Sequence, residues 1–169
     1  MDAAETLLLE QIPRLRRYAR ALTGQAGSAD DLVQDCLERA WSRLHRWRAG
    51  SDMRAWLFTI MHRVNANRVR RLRGRPAEDP LDEEGAGAAS PQAPEMALEI
   101  RDLDRALQRL PEPQRQVLLL VALEGFSYEA VAATLDLPLG TVMSRLHRAR
   151  ERLRAELGGG SAPRLRRVK

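Results

Sequence analysis

The sequence predicts an all-α protein made of two small helical domains joined by a flexible acidic linker. Apolar residues recur at helical spacing in several stretches of the 169 residues, and hydrophobic residues make up 44% of the chain. β-branched runs are few, and the sequence has no Asn-Gly or Asp-Gly pair of the kind typical of β-hairpins. Aromatic residues make up only 4%, so the cores must consist mainly of Leu, Val and Ala.

Charge divides the chain into three segments. Residues 1–76 hold 15 basic and 8 acidic residues, residues 77–104 hold 1 and 9, and residues 105–169 hold 12 and 6. Two basic blocks around an acidic segment indicate two modules that face a polyanion, with a connector between them. All but one of the 28 basic residues are Arg, whose planar guanidinium suits bidentate contacts with phosphates and bases.

The N-terminal domain, residues 1–75, is expected to hold three helices. The first covers residues 5–22, the second begins at a Ser28 cap, and the third begins at Ser51. The third helix runs into a series of arginines and stops at Gly74.

Apolar stripes predict which faces of the second and third helices are buried. The stripe of the second helix comprises Leu32, Val33, Cys36, Leu37, Ala40, Trp41 and Leu44. The stripe of the third includes Trp56, which we expect in the core, although rings beside arginines also suit stacking with single-stranded bases. Cys36 is the only cysteine, so no disulfide can form within the chain, and a buried thiol is expected to be inert.

Residues 76–94 separate the two domains. Pro, Gly, Ala and acidic residues dominate this segment without apolar periodicity, which predicts a flexible linker. The C-terminal domain is expected to span residues 95–157, with two helices ahead of a helix-turn-helix. Residues 158–169 are expected to form a disordered basic tail.

Residues 127–157 have the layout of a DNA-reading helix-turn-helix. Ser127 caps a short helix, a tight turn follows at residues 136–140, and a strongly basic helix begins near Thr141. A recognition helix enters the major groove at its N-terminal end, where Arg can pair with guanine edges or phosphate. The alternative is a solvated face on an ordinary amphipathic helix. The candidate DNA contacts are Thr141, Ser144, Arg145, Arg148 and Arg152.

An acidic row lies on the outer face of the second helix, inside an otherwise basic domain. Most such rows are only solvated, but an acidic strip within a basic block indicates a protein partner. The row comprises Asp31, Gln34, Asp35 and Glu38.

Nothing in the sequence indicates catalysis. His45, His62 and His147 lack metal-ligand spacing, and no Gly-rich phosphate loop or nucleophile–base pattern occurs. We therefore expect no catalytic residue, no metal and no cofactor. The longest apolar run, residues 117–123, is far short of the roughly 20 residues that a membrane span needs. The N-terminus is not typical of a signal peptide, so we expect a cytoplasmic protein without membrane insertion.

Four motifs in order resemble those of a bacterial extracytoplasmic-function (ECF) sigma factor of the sigma-70 family. They are DDLVQD, RAWLF, LPEPQRQVLLL and GTVMSRLHRARERL, and the resemblance covers about residues 10–75 and 98–157. It implies a sigma region 2 that binds core RNA polymerase and reads and melts the −10 element. It also implies a sigma region 4 that reads the −35 element.

The resemblance assigns roles to three groups of residues. The acidic row falls on the helix that docks on a coiled coil of the largest polymerase subunit. The basic helix from Thr141 to Arg152 falls on the −35 reader. The −10 contacts fall on Arg48, Asp52, Arg63, Asn67, Arg70 and Arg71. Members often have Asn in place of Arg63, so the −10 base preference does not carry over.

The resemblance also implies the partners. They are RNA polymerase core, double-stranded and melted promoter DNA, and an anti-sigma factor, with a monomer expected when the protein is free. Two other functions remain open from the residues alone. One is a LuxR-type helix-turn-helix regulator that acts without polymerase core binding. The other is a helical adaptor that binds polymerase and inhibits it.

Overall fold

The computed structural model describes residues 2–74 and 94–158, which form two helical bundles. The N-terminal bundle contains α1 (Ala3–Glu10), α2 (Ile12–Thr23), α3 (Ala26–Ser42) and α4 (Met53–Arg73), with a 3-10 turn at Leu44–Arg46. The C-terminal bundle contains α5 (Pro94–Arg109), α6 (Glu112–Ala122), α7 (Tyr128–Leu135) and α8 (Leu139–Gly158). The all-α prediction is confirmed. Most of the predicted linker and tail lies outside the described residues.

The single helix predicted at residues 5–22 is in fact two helices that break at Gln11. Pro13 occupies the first turn of α2, where its missing N–H would have no partner within the helix. Ahead of the break, the N–H of Asp2 donates to the Glu5 carboxylate at 2.9 Å, which supports a separate short helix.

Two predicted helix starts are wrong, one by three residues and the other by one. Ser28 lies inside the first turn of α3, whose N-cap is Gln25. Ser51 is not the cap of α4, because the neighbouring Asp52 accepts the N–H of Ala55 at 3.2 Å. In both places several polar residues adjoin the helix start, and sequence pattern alone does not decide among them.

Each bundle has a core of aliphatic side chains, as the composition predicts. In the N-terminal bundle, α2, α3 and α4 bury Leu15, Leu32, Cys36, Leu57 and Met61. In the C-terminal bundle, α6, α7 and α8 bury Val117, Leu120, Val131, Val142 and Leu146. Trp56 is half-buried against the first core rather than enclosed by it. No helix within the two described ranges is long and apolar enough to cross a membrane.

Ser127 is the N-cap of α7, as predicted, and its Oγ accepts the N–H of Ala130 at 3.1 Å. Replacing Ser127 by Ala leaves that N–H without its partner and should lower the free energy of unfolding by about 1 kcal/mol. Urea unfolding followed by circular dichroism measures the change. Ser42→Ala is the matched control, because the Ser42 hydroxyl donates only to a carbonyl of its own helix. Equal losses in the two variants would contradict the assignment of the cap.

Candidate nucleic-acid interface and docking surface

Helices α7 and α8 form the predicted helix-turn-helix, but the turn is not built as expected. Its left-handed residue is Asp136, with φ 53°, and α8 already begins at Leu139. Gly140 therefore lies in the first turn of α8. Asp tolerates the left-handed region because its short polar side chain can bond locally. The N–H of Leu137 closes the end of α7 by donating to the carbonyl of Ala132 at 2.9 Å.

Packing decides which face of α8 points outward. Val142, Leu146 and Ala149 are buried in the C-terminal bundle. Of the candidate DNA contacts, Ser144, Arg148 and Arg152 are exposed, whereas Thr141 and Arg145 are half-buried. Within residues 2–74 and 94–158, none of these three arginines forms an ion pair. Their charges are therefore not neutralised by the described part of the protein, which suits an anionic partner.

Helix α4 carries the second candidate DNA surface on one side only. Arg63, Asn67, Arg70 and Arg71 fall within roughly 100° of the helix circumference at about 3.6 residues per turn. The three arginines are exposed, and Asn67 is half-buried. The structure thus brings these four predicted −10 contacts together on one face.

The remaining two predicted −10 contacts lie in and after the loop that precedes α4. Arg48 is exposed there, and Ser51 donates its hydroxyl to the Arg48 carbonyl at 2.7 Å. The carboxylate of Asp52 is engaged as the N-cap of α4. Asp52 therefore has a structural role beside any role in contacting a base.

The acidic row on α3 is split between two environments. Asp31, Gln34 and Glu38 are exposed, and Gln34 Nε2 donates to Glu38 Oε1 at 3.1 Å. Asp35 is half-buried and forms an ion pair with Arg68 of α4 at 3.5 Å. The solvent-facing surface is therefore Asp31, Gln34 and Glu38, with Asp35 at its edge toward α4.

Trp41 was predicted to be buried, and this prediction is wrong, because 54% of the residue is exposed. At about 100° per residue, Trp41 lies roughly 130° from the centre of the buried stripe of α3. Trp41 follows Gln34 by seven residues, or about two turns, and Glu38 by three. It therefore lies on the side of α3 that carries the acidic row. An exposed Trp beside a charged row is typical of a protein–protein contact. A helical wheel of α3 would have predicted the exposed position of Trp41 from the sequence.

Cys36 is fully buried and its Sγ lies 3.6 Å from the carbonyl oxygen of Leu57. Burial raises the pKa of its thiol to about 12, so the reactive thiolate is suppressed. The expectation of an inert thiol agrees with this environment.

His62 of α4 lies near Glu112 of the C-terminal bundle, about 100° around the helix from Arg63 of the predicted −10 face. Burial lowers its pKa below the ordinary value of 6.5; Glu112 acts in the opposite direction, and the nearby Arg63 and Arg145 lower the pKa further. Helix α7, the first helix of the helix-turn-helix, packs against α4. No pattern in the sequence predicts this proximity.

Comparison with known families matches both bundles to sigma factor domains. Residues 8–62 match the family model described as the Sigma2 domain of PhyR, and residues 100–153 match Sigma-70, region 4. The chain is thus a protein of the sigma-70 class with regions 2 and 4.

Relatives in sequence identify the family within the sigma-70 class to which the chain belongs. The chain is 40% identical to the ECF RNA polymerase sigma factor EcfG of Rhodopseudomonas palustris, over 92% of this chain and 86% of that protein. It is 33% identical to the ECF RNA polymerase sigma-E factor of Escherichia coli, over 75% of this chain and 72% of that protein. The chain belongs to the ECF sigma factor family. This membership decides against the LuxR-type alternative.

Solved structures agree with the assignment. The sigma factor RpoE of Bartonella quintana, in complex with the anti-sigma factor NepR, matches with a TM-score of 0.72 and 33% identity, over 93% of this chain and 98% of that one. CnrH in complex with the cytosolic domain of CnrY matches with a TM-score of 0.67 and 29% identity, over 94% and 90%.

The lowered pKa of His62 predicts that acid destabilises the fold. The unfolded chain takes up the proton more readily than the folded one, so the contribution of neutral His62 is complete above about pH 6.5. It declines as the pH falls below that value. Urea unfolding at pH 7.5 and pH 5.5 should show a smaller loss of stability for His62→Gln than for the parent protein. His45→Gln, at an exposed position, should behave like the parent; if His62→Gln does so too, the prediction is wrong.

Proposed function

We propose that this protein binds core RNA polymerase and directs promoter-specific initiation of transcription, under the control of an anti-sigma factor. The proposal rests on one observation: a chain of the ECF family has three accessible surfaces that could each bind a partner. These are the basic face of α8, the basic face of α4 and the acidic row of α3 with Trp41. No covalent step by the protein is needed, because binding and positioning suffice.

The face of α8 would read the −35 element as duplex DNA. Arg148 and Arg152 are exposed and lie one turn apart on the outer side of a helix whose other side is locked into the core. Bidentate guanidinium contacts with guanine edges would select the sequence, and contacts with phosphates would hold the helix in register.

The face of α4 would meet the −10 element. Arg63, Arg70 and Arg71 supply positive charge along about two turns, which suits the backbone of a melted strand. Capture of an extruded base favours the melted form at an unstacking cost of a few kcal/mol. Arg48 lies in the exposed loop before α4, where it could reach such a base.

The acidic row of α3 would dock on the largest subunit of the polymerase. Asp31 and Glu38 supply charge for specificity, and Trp41 supplies apolar area, since the most energetic interface residues are often Trp. A surface groove next to the row is lined by Arg16, Asp30, Val33, Gln34, Leu37 and Glu38, and could receive side chains of the partner.

Control by an anti-sigma factor is supported by the solved structures. The sigma factor RpoE, which this chain resembles over 93% of its length, was solved in complex with the anti-sigma factor NepR, and CnrH, which it resembles over 94%, was solved with the cytosolic domain of CnrY. The chain adopts a similar arrangement of regions 2 and 4, so a comparable partner is proposed here.

One observation favours a second candidate function. The match of residues 8–62 is to the sigma2 domain of PhyR, and PhyR of Bartonella quintana is an anti-anti-sigma factor that shares this fold. A protein of that kind would bind an anti-sigma factor without starting RNA synthesis. The exposed arginines of α8 favour the first candidate.

Run-off transcription separates the candidates. Purified protein and bacterial core polymerase are combined with a library of promoter fragments, and the transcripts are sequenced. A sigma factor starts RNA at defined sites, whereas an inhibitory adaptor or an anti-anti-sigma factor does not. Absence of any specific transcript would reject the proposal.

Arg148→Ala should reduce specific transcripts by about tenfold or more, because one good bidentate base contact contributes about 1–3 kcal/mol of discrimination. Its affinity for core polymerase should not change. Arg150→Ala is the matched control, since Arg150 is also exposed but lies on the other side of α8. Loss of core binding in Arg148→Ala would mean that the surface has been assigned wrongly.

Trp41→Ala should weaken binding to core polymerase by about tenfold or more, the size typical of a Trp anchor at an interface. Fluorescence anisotropy with labelled protein and titrated core enzyme measures the affinity. Leu9→Ala removes a comparably exposed apolar side chain on α1 and should bind normally. Normal binding by Trp41→Ala would place the docking surface elsewhere.

A further inference from the structure

The N-terminal end of the reading helix α8 exposes two large apolar side chains. Leu139 is 40% exposed and Met143 is 52% exposed. They stand four residues apart, so they share one face of the helix. Met143 also borders a surface cavity of about 240 Å³, together with Tyr128 and His147, and is not enclosed by the C-terminal core. Packing within the bundle therefore does not account for this apolar pair.

The direction of the two side chains brings them to the end of the helix that enters a groove. Side chains on an α-helix tilt toward its N-terminus, so Met143 covers the turn that precedes it rather than the surface beside its own Cα. That turn is the first of α8, which begins at Leu139. The apolar pair therefore forms the leading edge of the helix, ahead of the candidate base contact Arg148.

Gly140 leaves the space beside the apolar pair open. At about 100° per residue, Gly140 lies between Met143 and Ser144 on the outer side of α8. Apart from the neighbouring backbone, a Cβ on Gly140 would meet no atom within 4 Å among the described residues, so their packing does not call for a glycine. Glycine lowers the stability of a helix relative to alanine, but it allows the backbone to approach a ligand closely. The tip of α8 is therefore suited to lie close against a partner.

A DNA base fits this tip better than a protein surface does. Two side chains make an apolar patch well below the several hundred Å² of a protein–protein contact. The polar groups next to the pair are Ser144 and Arg148, candidate DNA contacts that are both exposed. In the major groove only thymine presents a methyl group, at C5. An apolar side chain at the base edges therefore favours thymine over cytosine, which has a hydrogen at that position.

We propose that Leu139 and Met143 read thymine methyl groups in the −35 element, as a second means of base selection beside the arginines of α8. Met143 is the principal contact, because it is the more exposed of the two and its unbranched thioether chain adapts to an irregular surface. Leu139, the first residue of α8, extends the apolar surface along the groove. The inference rests on the proposed function, because it names what that same helix recognises.

The apolar pair and the arginines of α8 select different bases. An arginine pairs with O6 and N7 of guanine, whereas the thymine methyl group is neither a donor nor an acceptor. Removal of one methyl group from water contributes a factor of about four in affinity, equivalent to roughly 0.8 kcal/mol. The methyl contact is therefore weaker than a bidentate arginine contact, and it adjusts the preference among promoters that share the same guanines.

Deoxyuridine tests the proposal, because it pairs as thymidine does and lacks only the C5 methyl group. The −35 element is first taken from the sequenced run-off transcripts. Each thymidine of that element, on either strand, is then replaced in turn by deoxyuridine, and competitive run-off transcription with core polymerase and the full chain compares the two templates. At one position or more, the parent protein should initiate about fourfold less on the deoxyuridine template.

Met143→Ala should initiate about fourfold less than the parent on the thymidine template, and deoxyuridine at the same position should have no further effect. Such non-additivity is expected when the protein side chain and the methyl group form one contact. Because Met143 is exposed and Ala is a strong helix former, the variant should fold like the parent, which circular dichroism checks.

Met96→Ala is the matched control, since Met96 is 51% exposed but belongs to α5, outside the helix-turn-helix. It should keep the parent's response to deoxyuridine. The proposal is overturned if the parent initiates equally on every deoxyuridine template, or if Met143→Ala keeps the full response. It is also overturned if Met143→Ala weakens binding to core polymerase, because the apolar pair would then contact protein. Every comparison uses a promoter on which the parent initiates, so these failures are distinct from the absence of any specific transcript.

Discussion

The structure depends on one constraint, namely that helix α4 must serve two surfaces at once. One side of it packs into the core and against the C-terminal bundle through Arg54, Phe58, His62 and Asn65. The other side carries exposed arginines. An α-helix has 3.6 residues per turn. The residues that pack inward and the exposed arginines therefore recur at helical spacing along α4 and fall on different faces. A shift of one residue in this register would put arginines into the core.

The packing of α4 also links the two halves of the protein. Its inward side meets Phe126 and Glu124, so the position of the helix-turn-helix relative to α4 is decided by contacts of α2, α4 and the α6–α7 segment. Those contacts combine buried rings with a buried carboxylate. The rings contribute stability, and the carboxylate makes the contact sensitive to the loss of a single arginine.

Local patterns predicted much of the fold and much of the candidate site. Apolar spacing located the helices, and the Ser127 cap is confirmed because a lone Ser preceded a clear apolar run. Predicted starts at Ser28 and Ser51 failed where neighbouring polar residues compete for the same cap. Trp41 was predicted to lie in the core because it is apolar. Its position on a helical wheel of α3 is outside the buried face, and the residue is exposed to solvent.

The sequence by itself determined the helical class, the basic face of α8 and the acidic row of α3. Each of these follows from residues within a few turns of one another, where helical geometry alone sets which side chains share a face. Tertiary structure decided the pairing of Arg17 with Glu124, which are 107 positions apart, and the meeting of Phe58 with Phe126. Such contacts depend on how two bundles dock, and a periodic pattern within one helix holds no information about the partner across the interface.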